Sequence, residues 1–145
     1  MPGVVVGVDG SSNSLKAFDW ALKEAAIRQA SLTVLAVVPV ATSISGLSAQ
    51  HYPADEEARL KVKQAIQEAV DKVTAGRSGL PSAAVQAVSG LPADELVKAS
   101  ADADLLVLGD RGHGGFARLM MGSVSVQVSQ HALCPVVIVP GERPR

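Results

Sequence analysis

Short apolar runs alternate with longer amphipathic segments along this chain. The runs are rich in valine and leucine and lie at residues 4–8, 32–38, 83–88, 104–109 and 136–139. Between them, apolar side chains recur at helical spacing over residues 12–29, over 54–75, from 91 onward and over 123–132. Runs that are apolar on both faces are typical of parallel strands covered by helices. The order βαβαβαβαβ therefore predicts an open, twisted, five-stranded parallel sheet with helices on both of its faces.

In one segment, residues 39–53, apolar residues follow neither a strand pattern nor a helical pattern. Ala, Thr, Ser, Gly and Gln dominate it. A connection of this length without regular structure is uncommon unless it is functional or mobile. We predict a long, mobile surface loop there.

Composition narrows the class of protein. The 145 residues suit a single domain over 1–145, and 48% hydrophobic residues can form a core. A formal charge of -1 and 3% aromatic residues argue against nucleic acid and anionic membranes as partners. We see no signal peptide or transmembrane run and expect a cytoplasmic protein. The single cysteine, Cys134, is expected to pack as a small apolar residue.

The residues suited to chemistry lie at the ends of the first and fourth predicted strands, where open parallel sheets bind ligands. Gly7-Val8-Asp9-Gly10 follows the first strand, and four of the thirteen glycines fall within 109–115. Glycines before a helix start let backbone amides approach a phosphate. A P-loop is excluded because no lysine follows Gly122 at the required place, and Gly7-Val8-Asp9-Gly10 breaks the dinucleotide fingerprint.

The spacing Gly109-x2-Gly112-x9-Gly122-Ser123 resembles the ATP-binding motif of the universal stress protein family. The start Val6-Gly7-Val8-Asp9-Gly10-Ser11 and the stretches 103–109 and 131–139 are also typical of that family. The resemblance covers nearly the whole chain and is weakest across residues 39–80. It implies a Rossmann-like fold of the adenine nucleotide alpha hydrolase-like type, strand order 3-2-1-4-5, ATP as ligand and a homodimer formed through the last strand, 136–139.

The resemblance also implies roles for single residues. Asp9 is similar to the family's acidic residue near ribose and adenine, and the backbone of Val38 to part of the adenine slot. Gly109 and Gly112 resemble the phosphate-loop glycines. With their neighbours, the candidate nucleotide-binding residues are Gly7, Val8, Asp9, Val38, Leu108, Gly109, Arg111, Gly112, Gly122, Ser123, Val124 and Ser125.

Chemistry alone supports some of these roles and leaves alternatives open. A carboxylate at position 9 can accept two ribose hydroxyls, and the hydroxyl of Ser123 can donate to a phosphate. Asp9 could instead be a turn or capping carboxylate, and the glycine-rich segment a plain flexible turn. Arg111 and Arg118 could clamp phosphates or simply be solvated.

Three hypotheses of function follow. The first is a nucleotide-dependent regulatory module of the stress response that binds ATP, with Mg²⁺ carried on the phosphates and Asp110 within reach of it. The second is a slow ATPase. The sequence has no lysine in the phosphate loop and no carboxylate clearly placed to orient an attacking water, so we assign no catalytic residue and no role to His113. The third is a module for AMP or cyclic AMP. His131 is expected to pack or to interact with a helix end rather than to bind metal.

Overall fold

The computed structural model describes residues 3–39, 41–45, 48–52, 56–110 and 122–141, in which strands and helices alternate over most of the length. In chain order the elements are β1 (Val4–Gly7), α1 (Ser12–Arg28), β2 (Leu32–Pro39), β3 (Ala41–Ser45), β4 (Ser48–Tyr52), α2 (Glu56–Thr74), β5 (Ala83–Gly90), α3 (Pro92–Ser100), β6 (Leu105–Gly109), α4 (Ser123–His131) and β7 (Val136–Val139). The predicted elements are confirmed, with ends that differ by at most two residues.

The main sheet has five parallel strands in the order β5-β2-β1-β6-β7. Because β5, β6 and β7 are the third, fourth and fifth predicted strands, this is the expected order 3-2-1-4-5. The central strand β1 pairs with both neighbours, so that Val6 lies opposite Val34 of β2 and Val107 of β6. Every residue of β6 is buried, as the continuous apolar run predicts.

Helices cover both faces of the sheet, as predicted. The α1 helix turns its small and aromatic side chains inward, where they pack with Ile66 and Val70 of α2. The fully buried members of the α1 stripe are Ala17, Phe18, Ala21, Leu22 and Ala25. On the opposite face, Leu96 of α3 and Val128 of α4 pack against β2 and β6. Within the described residues, no helix is long and apolar enough to cross a bilayer.

The prediction of an irregular loop over 39–53 is wrong where the structure describes this stretch. Strands β3 and β4 form a separate antiparallel pair whose register runs from Ala41 opposite Tyr52 to Ser45 opposite Ser48. Residues 46–47, which join the two strands, lie outside the described residues. The strands could not be predicted from the sequence because their small and polar residues do not alternate with apolar ones. The mobility of this stretch stays a prediction.

The connections that leave β1 and β6 diverge, and this positions the candidate site. After β1 the chain enters α1 on one face of the sheet, whereas after β6 it leads to α4 on the other face. Since β1 and β6 are hydrogen-bonded neighbours, their carboxyl ends form the switch point at which open parallel sheets bind ligands.

Candidate functional site

A network of short-range hydrogen bonds fixes the turn between β1 and α1. Ser11 is the N-cap of α1, and its Oγ accepts a 3.2 Å hydrogen bond from the amide of Ser14. The hydroxyl of Ser14 accepts from the amide of Asp9, and the carboxylate of Asp9 accepts from the amide of Ser11 at 2.9 Å. Gly10 completes the turn at a φ of +88°, which favours glycine.

Asp9 therefore has the geometry of its alternative role, that of a turn carboxylate. It is nevertheless exposed at the carboxyl edge of the sheet. A turn bond to one amide leaves a carboxylate with further acceptor positions. Its predicted contact with ribose is compatible with this arrangement and stays a prediction.

Asp110, directly after β6, joins several segments at this edge. Only 2% of it is exposed, and its Oδ1 accepts hydrogen bonds from Nδ2 of Asn13 at 2.9 Å and from the amide of Gly141 at 3.1 Å. Its carbonyl accepts a 2.6 Å hydrogen bond from the amide of Gly122, and its own amide donates to the carbonyl of Val139. The segments after β1, β6 and β7 and the residue before α4 thus converge on one residue.

At two of the predicted site glycines, close packing leaves no room for a side chain. A Cβ on Gly109 would lie 2.6 Å from Nδ2 of Asn13, and one on Gly7 would lie 2.8 Å from Cδ2 of Leu108 and 3.0 Å from Cδ2 of Leu96. These are distances that a methyl group cannot occupy without displacing its neighbours. The glycines let α1 and α3 dock closely on the sheet, independently of any phosphate.

No side chain among the described residues caps the start of α4. Its N-cap is Gly122, in extended conformation, and Ser123 beyond it is exposed. The first amides of a helix have no partner within the helix, so this end suits an anion. Ser125 differs from its neighbours, because it is 4% exposed and its hydroxyl donates to the carbonyl of Gly109 at 2.7 Å. Its observed role is to hold α4 against β6.

The remaining predicted residues lie along the same edge where they are described. Val8 is buried and its amide donates to the carbonyl of Leu35, while Val38 lies three residues beyond Leu35 in β2. Leu108 packs in the α3–α4 core. Arg111, Gly112, His113 and Arg118 lie outside the described residues.

Sequence reasoning missed three residues at this edge: Asn13, Gly141 and Ser89. Ser89 pairs in register with Val38, and its Oγ is buried without a hydrogen-bond partner in the described part of the chain. Asn13 and Gly141 carry no motif, and they contact Asp110 from positions 97 and 31 residues away. No local pattern could have found them.

Other features lie away from this edge. A cavity of about 300 Å³ opens near the amino ends of β1 and β2, lined in part by Ser31, Thr33 and Asp102. Cys134 is half-buried, and burial raises the pKa of its thiol. The described residues hold no group of three or more metal-ligating side chains.

Comparison with known proteins decides the family. A sequence profile described as "Universal stress protein family" matches residues 2–140. The chain belongs to the universal stress protein family. It is 36% identical over 143 residues to a universal stress protein of Mycobacterium tuberculosis H37Rv, covering 94% of this chain and 47% of that protein. The chain thus spans about half the length of the mycobacterial relatives it matches.

Relatives of the same length also exist. YxiE of Bacillus subtilis, a universal stress protein, is 34% identical over 144 residues, covering 94% of this chain and 97% of its own. A universal stress protein solved in complex with cAMP superposes with a TM-score of 0.69 at 29% identity, covering 96% of each chain. The predicted family and fold are therefore confirmed.

Proposed function

We propose that the chain binds ATP at the carboxyl edge of β1, β2 and β6 and acts as a nucleotide-dependent regulatory module of the stress response. The observation that carries the proposal is the junction at Asp110, which brings Asn13 at the start of α1 and Gly122 at the start of α4 to one residue. The turn of Asp9 and the start of α4 consequently lie on the same side of the molecule. A nucleotide that binds one can reach the other.

The residues present fit such a ligand. Asp9 would accept the ribose hydroxyls, and the amides of Gly122, Ser123 and Val124 would donate to phosphate oxygens. The backbone near Val38 would border the adenine, with Gly7, Val8, Leu108 and Gly109 forming the floor. We assign Arg111 and Gly112 to the phosphates by the family motif. Ser125 would act by holding the helix start in place, since its hydroxyl already donates to the main chain.

Another adenine nucleotide, AMP or cyclic AMP, is the second candidate. The solved relative in complex with cAMP, at 29% identity, favours it. A cyclic nucleotide lacks the β- and γ-phosphates, so it would depend less on the start of α4 than ATP does. The two candidates therefore differ in which residues they need.

We expect ATP hydrolysis to be slow at most. The described edge offers no lysine, and the carboxylate of Asp110 is buried and accepts two hydrogen bonds, so it is not placed to activate water or to bind metal. Mg²⁺ would be held by the phosphates and water. Single-turnover hydrolysis well below the enzyme median of about 10 per second is the expected result.

We further propose a homodimer through β7. This strand is at the edge of the sheet, its first three residues are half-buried, and Leu133 just before it is 72% exposed. An apolar edge strand favours pairing with another chain. Sedimentation at micromolar concentration should show a dimer, and Leu133→Lys should shift it toward monomer without unfolding. A monomeric wild type would refute this.

Binding measurements decide the ligand. Calorimetry with ATP, ADP, AMP and cyclic AMP should be run on wild type, Asp9→Ala and Gly122→Val, with the exposed Ser129→Ala in α4 as control. If ATP is the ligand, Gly122→Val weakens ATP much more than cyclic AMP, and Asp9→Ala weakens both. Equal losses for ATP and cyclic AMP would favour the second candidate. No binding of any adenine nucleotide to wild type would end the proposal.

A further inference from the structure

Asp110 carries a buried carboxylate that the family motif does not assign to the ligand. We propose that Asp110 is a positioning residue of the nucleotide site, which holds the starts of α1 and α4 and the end of β7 in one arrangement. This inference rests on the proposed function for its ligand. Whether Asp110 holds these segments together can be tested without a ligand.

The geometry connects this residue to three segments of the edge. Through Oδ1 it binds Asn13, which is in the first turn of α1, and Gly141, which follows β7. Through its main chain it binds Gly122, the N-cap of α4, and Val139 of β7. A displacement of Asp110 would therefore move both helix starts together.

The cost of burying a carboxylate indicates that Asp110 does more than stabilise the fold. Removing a charged group from water is expensive, and an apolar side chain of similar size often suits a core as well or better. Only 2% of Asp110 is exposed. Charge-assisted hydrogen bonds are also directional. They fix donors from distant segments at defined positions, as a preorganised site requires.

The hydrogen bond between Asn13 and Asp110 explains why a change at Asp110 should weaken nucleotide binding. The turn that carries Asp9 ends at the N-cap Ser11, two residues before Asn13. Loss of the Asn13–Asp110 hydrogen bond would release this turn from β6. The residues proposed to bind ribose and phosphate would then no longer be held in fixed positions relative to each other. Oδ1 accepts the hydrogen bonds from the side chain of Asn13 and from the amide of Gly141, and the amide oxygen of an asparagine can accept both.

The test uses Asp110→Ala, Asp110→Asn and Asn13→Ala, with Ser100→Ala as matched control. Ser100 is also fully buried and ties α3 to the chain before β7, since its Oγ accepts from the amide of Leu133 and donates to the carbonyl of Val97. It lies away from the carboxyl edge. Thermal unfolding first establishes that each variant folds.

Binding of the adenine nucleotide preferred by wild type is then measured. Asp110→Ala should weaken it by about tenfold or more, and Asp110→Asn by no more than about threefold. Asn13→Ala combined with Asp110→Ala should be no worse than Asp110→Ala alone, because both remove the same contact. Ser100→Ala should lower stability and leave affinity unchanged. Equal losses in Ser100→Ala and Asp110→Ala, or wild-type affinity in Asp110→Ala, overturn the proposal.

Amide hydrogen exchange without nucleotide separates this inference from the proposed function. Asp110→Ala should raise exchange at the amide of Gly141, which loses its acceptor Oδ1, and at the amide of Gly122, whose acceptor is the main-chain carbonyl of the displaced residue. Asp110→Asn should restore protection, and Ser100→Ala should not affect these two amides. If wild type binds no adenine nucleotide, the proposed function fails, and the exchange data still decide whether Asp110 holds the segments. Unchanged protection in Asp110→Ala refutes it. If Asp110→Asn protects the amides yet binds as poorly as Asp110→Ala, the charge acts directly and positioning is wrong.

Discussion

The hydroxyl of Ser125 donates a buried 2.7 Å hydrogen bond to the carbonyl of Gly109. This bond joins the first turn of α4 to the last residue of β6. It gives Ser125, which the family resemblance assigns to the ligand, a structural role as well. This structural role can be measured.

Ser125→Ala should destabilise the protein by about 1–2 kcal/mol, because the carbonyl of Gly109 loses its buried donor. Urea unfolding measures this change. Ser129→Ala is the matched control, since the exposed hydroxyl of Ser129 makes a local hydrogen bond to Val126 in the same helix. The control should change stability by less than about 0.5 kcal/mol. Equal effects of the two variants would contradict the structural role.

Gly109→Ala should cost about 1–3 kcal/mol through overpacking against Asn13. The Cβ would also lie 3.1 Å from the main-chain carbonyl oxygen of Asn13. Asn13→Ala should therefore relieve only part of the strain when it is combined with Gly109→Ala. A double-mutant cycle by thermal unfolding checks this coupling. Strict additivity would show that the two residues do not clash.

Stability should depend on pH through Asp19. Burial raises the pKa of its carboxyl, but hydrogen bonds from Arg77 and Lys23 outweigh burial and leave the pKa below its ordinary value of 3.8. A lowered pKa in the folded state adds stability above the unfolded pKa, and this stability is lost as pH falls below about 4 through the folded pKa. About a third of each side chain of the Asp19–Arg77 pair is exposed, so we expect about 0.2–1 kcal/mol.

Asp19→Asn tests this dependence. Its free energy of unfolding should fall below that of wild type at pH 7, and the two proteins should converge near pH 2. Glu57→Gln is the control, since Glu57 and its partner Lys61 are both about three-quarters exposed. A difference for Asp19→Asn that persists unchanged to pH 2 would exclude titration as its cause.

Ser89→Ala should leave stability unchanged or raise it by about 1 kcal/mol, because the Oγ of Ser89 is buried without a partner in the described part of the chain. Ser100→Ala, which removes a hydroxyl with two hydrogen bonds, should lower stability by about 1–3 kcal/mol. Calorimetric unfolding of both variants checks the contrast. A comparable loss in Ser89→Ala would show that its hydroxyl has a partner.

The fold could be predicted well because buried strands and amphipathic helices each leave a pattern of apolar residues within a short stretch of sequence. After Asp104, residues 105–109 carry no polar side chain, and a short run of this kind is typical of a strand buried on both faces. The hairpin of β3 and β4 escaped prediction since Thr42, Ser43 and Ser45 give no apolar period.

The site was only partly predictable for a different reason. Strand ends and glycine spacing located Asp9, Gly109 and Gly122 at one edge of the sheet. Asn13, however, is 97 residues from its partner Asp110, and nothing local marks that pairing. The inward direction of the Ser125 hydroxyl also depends on how α4 is rotated against β6, which sequence spacing does not fix.

The long separation between Asn13 and Asp110 has a consequence for assembly during folding. Contacts between distant residues close large loops and form late, after local helices and hairpins. The cleft would thus be completed only when β6 inserts beside β1, so a nascent or truncated chain ending before β6 would have no ligand affinity. A ligand that recognises only the finished cleft would slow proteolysis of the complete chain and protect no shorter intermediate.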